Sequence, residues 1–322
     1  MTGRRSAVPP PVTAVLDASS RWLPARLGEV EEQLRGTVGG HGELLGEDAA
    51  ATLAAGGKRL RPMLVLLCAG EPGGAAAVRA ATAIELVHMA TLVHDDVLDE
   101  APLRRGLPTV AASSGRARAV ATGDLLFSRA FALLADAGDA RAVELLAEAS
   151  VALAQGELAQ RHDAFDLTIS EQRYFDRCRL KTAKLFECAC LLGRDDEQLR
   201  RFGTDIGLAF QLLDDVLDVA GPPERTGKAR GTDLRDGTIT LPLIEAAAAD
   251  PGIAAADLRS LDSAAAEALC DRIAATGSLD RVRARALEMV AAAKRRLEQA
   301  SFEPEQRRLL GLVADGVVQR YS

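Results

Sequence analysis

The sequence predicts an all-α fold, on three observations. Its 322 residues are 48% hydrophobic but only 3% aromatic, a balance that disfavours β-sandwiches and barrels, which lean on aromatic and β-branched side chains. Ala, Leu, Glu and Arg, the strongest helix formers, crowd the chain. Apolar residues recur at helical spacing through long segments punctuated by Gly and Pro, with almost no period-two alternation.

Each element follows from this punctuation. The first helix is predicted over Ala14–Leu34, after Pro9, Pro10 and Pro11, and the Gly39-Gly40 pair separates it from a second over Leu44–Ala55. Helices then span Leu60–Ala69 and, past Gly73-Gly74, Ala75–Leu98. The break Pro102–Gly115 precedes Ala117–Asp136; Gly138 precedes Ala140–Gln160; Ser170–Leu192 ends at Gly193; Glu197–Val219 follows. The polar stretch Gly221–Thr240 is too long for a mere connector, and helices follow from Leu241, from Ser263, from Leu279 and over Pro304–Val318. No composition shift divides the chain, which predicts one domain over residues 13–322 behind a flexible tail, 1–12.

A net charge of −7 lacks the broadly basic footprint of a nucleic-acid binder, so any polyanion must meet a local basic cluster. Five scattered cysteines without a CxxC pair read as buried apolar residues in a reducing cytoplasm. Arg4, Arg5 and the prolines have no apolar stretch of signal-peptide length behind them, and no uncharged apolar run reaches about 18 residues. The expectation is a soluble cytoplasmic protein.

One acidic pentapeptide occurs twice: Asp95-Asp96-Val97-Leu98-Asp99 and Asp214-Asp215-Val216-Leu217-Asp218. Each closes a long apolar helix. The first and last Asp of each copy are i and i+4, so their carboxylates share a face one turn apart. A single such run is as readily a solvated face. Here, however, Asp is a poor helix former, its charge opposes the macrodipole near a helix C-terminus, and both copies follow apolar runs. Carboxylates so placed call for a cation, and oxygen-only donors with room for water and phosphate describe Mg²⁺.

A metal cluster without a catalytic nucleophile suggests a phosphorylated substrate. Lys58 and Arg61 lie on one side of a helix start beside Gly56 and Gly57; Arg104 and Arg105 follow the first acidic motif; Lys181 precedes Thr182; Lys228 follows the second motif. Singly these are ordinary surface cations. Grouped beside the acidic motifs they suit a diphosphate, which takes metal on some oxygens and charge-assisted hydrogen bonds on others.

In this order and spacing the segments GGKRLRP, HMATLVHDDVLDE, LRRGLPT, GDLLFSRAF, GELAQ, KTAKLF, FQLLDDVLD, GKARGTDL and TLPLI resemble the trans-isoprenyl diphosphate synthases, the head-to-tail prenyltransferases. The resemblance covers most of the chain. It implies a helical bundle around a central cavity (the isoprenoid synthase fold), a homodimer, and condensation of isopentenyl diphosphate onto an allylic diphosphate such as farnesyl or geranylgeranyl. It makes Asp95, Asp96, Asp99, Asp214, Asp215 and Asp218 ligands for roughly two or three Mg²⁺ ions. It gives isopentenyl diphosphate to Lys58, Arg61, His88 and Arg105, and the allylic diphosphate to Arg104, Lys181, Thr182, Gln211 and Lys228, with Asp233 supporting the last loop. His94 takes a structural role. Where the family commonly carries Lys in G-K-x-T-L-P, this chain has Thr238, which supplies no positive charge.

The chemistry agrees with the residues. Charge developing on a departing diphosphate would be neutralised by metal and cations. The allylic cation left behind needs apolar walls, and the leaving diphosphate is base enough for the final proton. Ala90 and Thr91, one turn before Asp95 on its face, are small, and the resemblance then implies a product of about thirty to forty-five carbons. Phe127 and Phe131, i and i+4, are candidates for the tunnel floor or ordinary core aromatics. Competing readings are a short-chain synthase giving geranylgeranyl or farnesyl diphosphate, a class I terpene cyclase, a His-Asp metal phosphohydrolase using His94-Asp95, and a regulatory subunit. Intact acidic motifs, few aromatics and only four histidines weigh against the last three. Membrane contact would be peripheral, for product release.

Overall fold

The computed structural model describes residues 10–19, 22–40, 42–71, 74–221 and 230–319. They are almost wholly helical, as expected; the strands among them are the two-residue β1 (Leu103–Arg104) and β2 (Leu107–Pro108). The described residues gather into two compact units interleaved along the chain. One takes in residues up to 147, Cys188–Arg200 and 297–319; the other holds Glu148–Glu187 and Arg201–Arg296.

The first unit is organised on α5 (Ala75–Leu98), which is apolar around most of its circumference and therefore buried on most sides. It is long and apolar enough to cross a membrane by length and composition, but 72% of its most apolar window is buried within the protein. α7 (Arg116–Ala135) runs along it, with α4 (Leu60–Ala69) and α2 (Trp22–Gly39) against other faces. The approach of α5 to α7 needs Gly123, where a Cβ would lie 2.1 Å from His94 Nε2. α3 (Gly42–Ala54) packs on α2 and α7.

The predicted first helix is in fact two. α1 (Pro10–Ala18) stops where Ser19 Oγ turns back to donate to the Leu16 carbonyl at 2.8 Å, a local bond that competes with helix continuation. Of the predicted tail, residues 1–9 lie outside the described residues, and Pro10 already opens α1. The break at Pro102–Gly115 holds a hairpin and the short α6 (Val110–Ser114). Leu103 pairs with Pro108 and Arg104 with Leu107, joined by Arg105 and Gly106, both at positive φ (55° and 78°), the signature of a type I′ turn.

In the second unit, the predicted helix Ser170–Leu192 is interrupted. Ser170 caps α9 (Glu171–Cys178), a π-turn spans Arg179–Ala183, and α10 (Lys184–Gly193) continues. Such a bulge inserts a residue and re-aims the side chains on it. Two glycines accommodate it: a Cβ on Gly156 of α8 (Ala140–His162) would meet Lys181 N at 2.5 Å, and one on Gly207 of α11 (Glu197–Ala220) would meet Ala183 Cα at 2.6 Å. Of the long polar stretch, 222–229 lie outside the described residues, Lys228 among them; beyond them come α12 (Thr232–Arg235) and α13 (Leu241–Ala249). α14 (Pro251–Ala254), α15 (Ser263–Ala275) and α16 (Ser278–Gln299) follow, and α17 (Pro304–Gln319) belongs to the first unit, against α1 and α4. All five cysteines are buried thiols, none of them in a disulfide.

Candidate active site

The first acidic motif forms the last turn of α5. The Asp99 N–H donates to the Asp95 carbonyl at 2.8 Å, so helical geometry holds from one to the other and sets them a turn apart. Asp95 is half-buried and Asp99 exposed, whereas Asp96 is only 5% exposed. Its carboxylate accepts from Arg104, from Nε at 2.8 Å and Nη2 at 2.7 Å. The hairpin after α5 turns back and delivers that arginine. Arg104 thus tethers the hairpin to α5.

The Arg105 guanidinium donates to the Gly56 carbonyl and, at 3.4 Å, to that of Ala55, so the hairpin turn meets the GGKRLRP loop. There Lys58 is exposed and Arg61 half-buried. A cavity of about 370 Å³ opens here, lined by Arg59, Glu85, His88, Asp96, Arg104 and Arg105 among others. Burial holds His88 well below the ordinary imidazole value, and Arg61, Arg105, Arg104 and Arg59 push the same way. His88 is therefore neutral at physiological pH. Burial also lowers Arg61, to about 10, against the charge of Glu85; it stays cationic.

Ala90 is fully buried, and Thr91 Oγ1 donates to the His88 carbonyl at 2.8 Å. His94 packs down onto Gly123 of α7, with Nε2 3.2 Å from the Val120 carbonyl, and its ring lies 5.8 Å from that of Phe127. Phe127 is thereby brought against α5 beside the acidic motif. Phe131, one turn further along α7, is half-buried.

In the second unit the other acidic motif lies near the end of α11. Asp214 is exposed, Asp218 half-buried, and Asp215 only 3% exposed. Asp215 is held from both sides: the Tyr174 hydroxyl donates to Oδ2 at 2.6 Å and Gln211 Nε2 to Oδ1 at 2.7 Å. Gln211 Oε1 in turn accepts from Thr182 Oγ1 at 2.6 Å. Burial, then Asp233 and Asp214, raise Asp215 to about 7 despite those donors. Lys181 pairs with Glu157 of α8. The Asp233 N–H donates to Asp218 Oδ2 at 3.2 Å, and Asp233 O accepts from the Thr238 N–H at 2.8 Å.

Within each motif the inner and outer aspartates differ in burial. The outer pair of each motif is half-buried or exposed, while the inner Asp96 and Asp215 are buried and held by neighbouring side chains. Among the described residues no three His, Cys, Asp or Glu side chains gather into a ready-made metal cage. Carboxylates one turn apart near a helix end are hard oxygen donors of the kind a divalent cation takes, with room left for water and phosphate oxygens.

Sequence reasoning missed Glu85, Glu31, Glu157 and Tyr174. A signal existed for two. Glu85 is an acid within the otherwise apolar Ala80–Val87 run, and Tyr174 is one of only two tyrosines.

Residues 43–271 match the pattern of the polyprenyl synthetase family. The chain is 41% identical over 241 residues to heptaprenyl diphosphate synthase component 2 of Geobacillus stearothermophilus, covering 72% of this chain and 75% of that protein. It is 39% identical over 225 residues to octaprenyl diphosphate synthase of Escherichia coli strain K12, covering 67% and 68%. Its fold is similar to the crystal structure of a decaprenyl diphosphate synthase from Rhodobacter capsulatus, with TM-score 0.87, 34% identity, and 97% and 99% of the chains covered. A polyprenyl synthase from Caulobacter crescentus CB15, crystallised with calcium and isoprenyl diphosphate, gives TM-score 0.85 at 32% identity over 97% and 98%. The chain belongs to the polyprenyl synthetase family and is a prenyltransferase.

Proposed function

We propose that the chain condenses isopentenyl diphosphate head-to-tail onto an allylic diphosphate, farnesyl or geranylgeranyl. With small Ala90 and Thr91 on the Asp95 side of α5, the product is an all-trans polyprenyl diphosphate of about thirty to forty-five carbons. The observation that carries this reading is the matched construction of the two acidic motifs: accessible outer carboxylates one turn apart, and a buried inner carboxylate anchored by Arg104 in one copy and by Tyr174 and Gln211 in the other. Relatives named for heptaprenyl and octaprenyl diphosphate synthesis favour the longer product over the short-chain alternative.

Asp95, Asp99, Asp214 and Asp218 would hold Mg²⁺, which when bound would neutralise charge on the departing diphosphate. Lys58, Arg61, His88 and Arg105 bind isopentenyl diphosphate. Arg104, Lys181, Thr182, Gln211 and Lys228 serve the allylic diphosphate, and Asp233 props the loop after the second motif. His88, neutral and flanked by arginines, donates one hydrogen bond without adding charge. Buried apolar residues of α5 and α7 keep water from the allylic cation, and the departed diphosphate takes the final proton. The protein acts as a cytoplasmic homodimer that touches membrane only at its surface to release product. Its buried thiols, none of them in a disulfide, suit a reducing compartment.

The test is incubation of purified protein with Mg²⁺, isopentenyl diphosphate and geranyl, farnesyl or geranylgeranyl diphosphate, followed by product mass measurement. Elongated prenyl diphosphates that EDTA abolishes are expected. Absence of any elongated product refutes the reading.

A further inference from the structure

Arg59 sits between Lys58 and Arg61, two of the cations assigned above to isopentenyl diphosphate, yet its own guanidinium is engaged by carboxylates. Nε donates to Glu31 Oε1 on α2, Nη2 reaches Glu31 Oε2 at 3.5 Å, and Nη1 donates to Glu85 Oε1 on α5 at 2.8 Å. Its side chain is 12% exposed, and that of Glu85 4%. All three guanidinium nitrogens are thus engaged by carboxylates.

The backbone at the same residue is strained. Arg59 lies at the N-terminus of α4 with φ 48° and ψ 34°, a left-handed conformation that L-residues hold only where surroundings over-determine it. Arg105, on the facing hairpin turn, shares that feature at φ 55°. Gly57 is the spacer between them: a Cβ there would come within 2.7 Å of Arg59 Nη1, 3.5 Å of Arg105 Nη1 and 3.6 Å of Glu85 Oε1. Glu85 also precedes His88 by one turn of α5, and its charge reaches Arg61. One buried carboxylate therefore adjoins the loop, the helix start and the histidine.

We propose that Arg59, clamped by Glu31 and Glu85, is a positioning residue: the two ion pairs hold the left-handed kink that aims Lys58 and Arg61, and Arg59 itself takes no diphosphate oxygen. Two carboxylates on two different helices, α2 and α5, engage Nε, Nη1 and Nη2 of Arg59, whereas Arg104 and Lys181 each meet a single carboxylate. Two carboxylates face its single positive charge, leaving the cationic face to Lys58, Arg61 and Arg105. The inference rests on the reading that this loop serves isopentenyl diphosphate.

The experiment compares wild type, Arg59→Ala, Arg59→Lys, Glu85→Gln and the double variant Arg59→Ala/Glu85→Gln, full-length and with Mg²⁺. Steady-state kinetics are measured with each substrate varied, calorimetry measures isopentenyl diphosphate binding, and circular dichroism checks folding. Arg59→Ala and Glu85→Gln should each raise KM for isopentenyl diphosphate about tenfold, with KM for the allylic substrate and kcat moving less than about threefold. The double variant should be no worse than the poorer single one, because both mutations break one device. Arg59→Lys, a point charge that cannot bridge two carboxylates, should fall between. A Glu85→Gln enzyme that binds isopentenyl diphosphate more tightly than wild type would mean Arg59 is a ligand held in reserve, and overturns the inference. So does an unchanged KM in folded Arg59→Ala, or an equal rise in both substrates' KM. Wild type that neither binds nor elongates isopentenyl diphosphate overturns the functional reading itself.

Discussion

The phenol of Tyr174 donates to Asp215 Oδ2 at 2.6 Å, within a pocket that leaves Tyr174 1% and Asp215 3% exposed. Removing that donor with Tyr174→Phe leaves a buried carboxyl with Gln211 as its remaining side-chain donor, and pushes Asp215 further above its already raised value of about 7. The variant should lose about 1–3 kcal/mol of unfolding free energy in urea denaturation with EDTA present. A change under about 0.5 kcal/mol would show that the bond is energetically idle.

The contrast between outer and inner aspartates is tested by Asp99→Asn and Asp96→Asn. Asp99 is exposed, so its replacement should leave stability within about 0.5 kcal/mol while lowering kcat about a hundredfold at fixed Mg²⁺. Asp96→Asn weakens the tether to Arg104 and should cost about 1–2 kcal/mol of stability as well. Identical stability for the two variants would remove the distinction.

Phe127 reaches α5 through the ring of His94, 5.8 Å away, beside the buried Ala90 face. If Phe127 or Phe131 floors an elongation tunnel, Phe127→Ala or Phe131→Ala will lengthen the prenyl product by one or more isoprene units on mass analysis. Unchanged product length in both variants sinks the idea. Gly123→Ala should be poorly tolerated, by about 1–3 kcal/mol, since its Cβ would overlap the His94 ring.

His88 carries a pH signature. Its folded value lies well below 6.5 because burial and four arginines disfavour the imidazolium, so its contribution to stability is present above pH 6.5 and lost as pH falls. Below pH 6.5 the unfolded chain gains a proton that the folded one does not, costing about 1 kcal/mol per pH unit. His88→Gln should therefore lose less stability than wild type between pH 7 and 5.5 in paired denaturation curves. Parallel curves would contradict this.

The thiols should be inert in the native state. Burial raises Cys178 to about 12 and Cys270 to about 11, leaving a thiolate fraction at pH 8 of order one in a thousand or less. Titration with a chromogenic disulfide should find far less than one reactive thiol in the folded protein and all five on unfolding. Rapid native labelling of either cysteine would overturn the burial argument.

Several features were legible because they are local. The apolar run of α5, the i,i+4 spacing of each acidic motif and the order of the basic segments can all be read along the chain. The break after Ala18 was not, since Ser19 folding back on Leu16 competes with a helical pattern that otherwise continues to Leu34. Nor was the π-turn at Arg179–Ala183, whose fit depends on Gly156 and Gly207 from remote helices. The type I′ turn was hidden because its first residue is Arg105 rather than the usual Asn, Asp or Gly.

By itself, then, the sequence determined the helical class, the family and the pair of acidic motifs, because periodicity and motif order need no knowledge of distant contacts. Only the tertiary structure decided which aspartate of each motif is buried and which is exposed to solvent, and that Arg59 is clamped between two helices. Those outcomes turn on which remote groups, Arg104, Tyr174, Glu31 and Glu85, come within hydrogen-bond reach of a buried charge. Burial makes an unpaired charge costly, so the partner, not the spacing, sets the role.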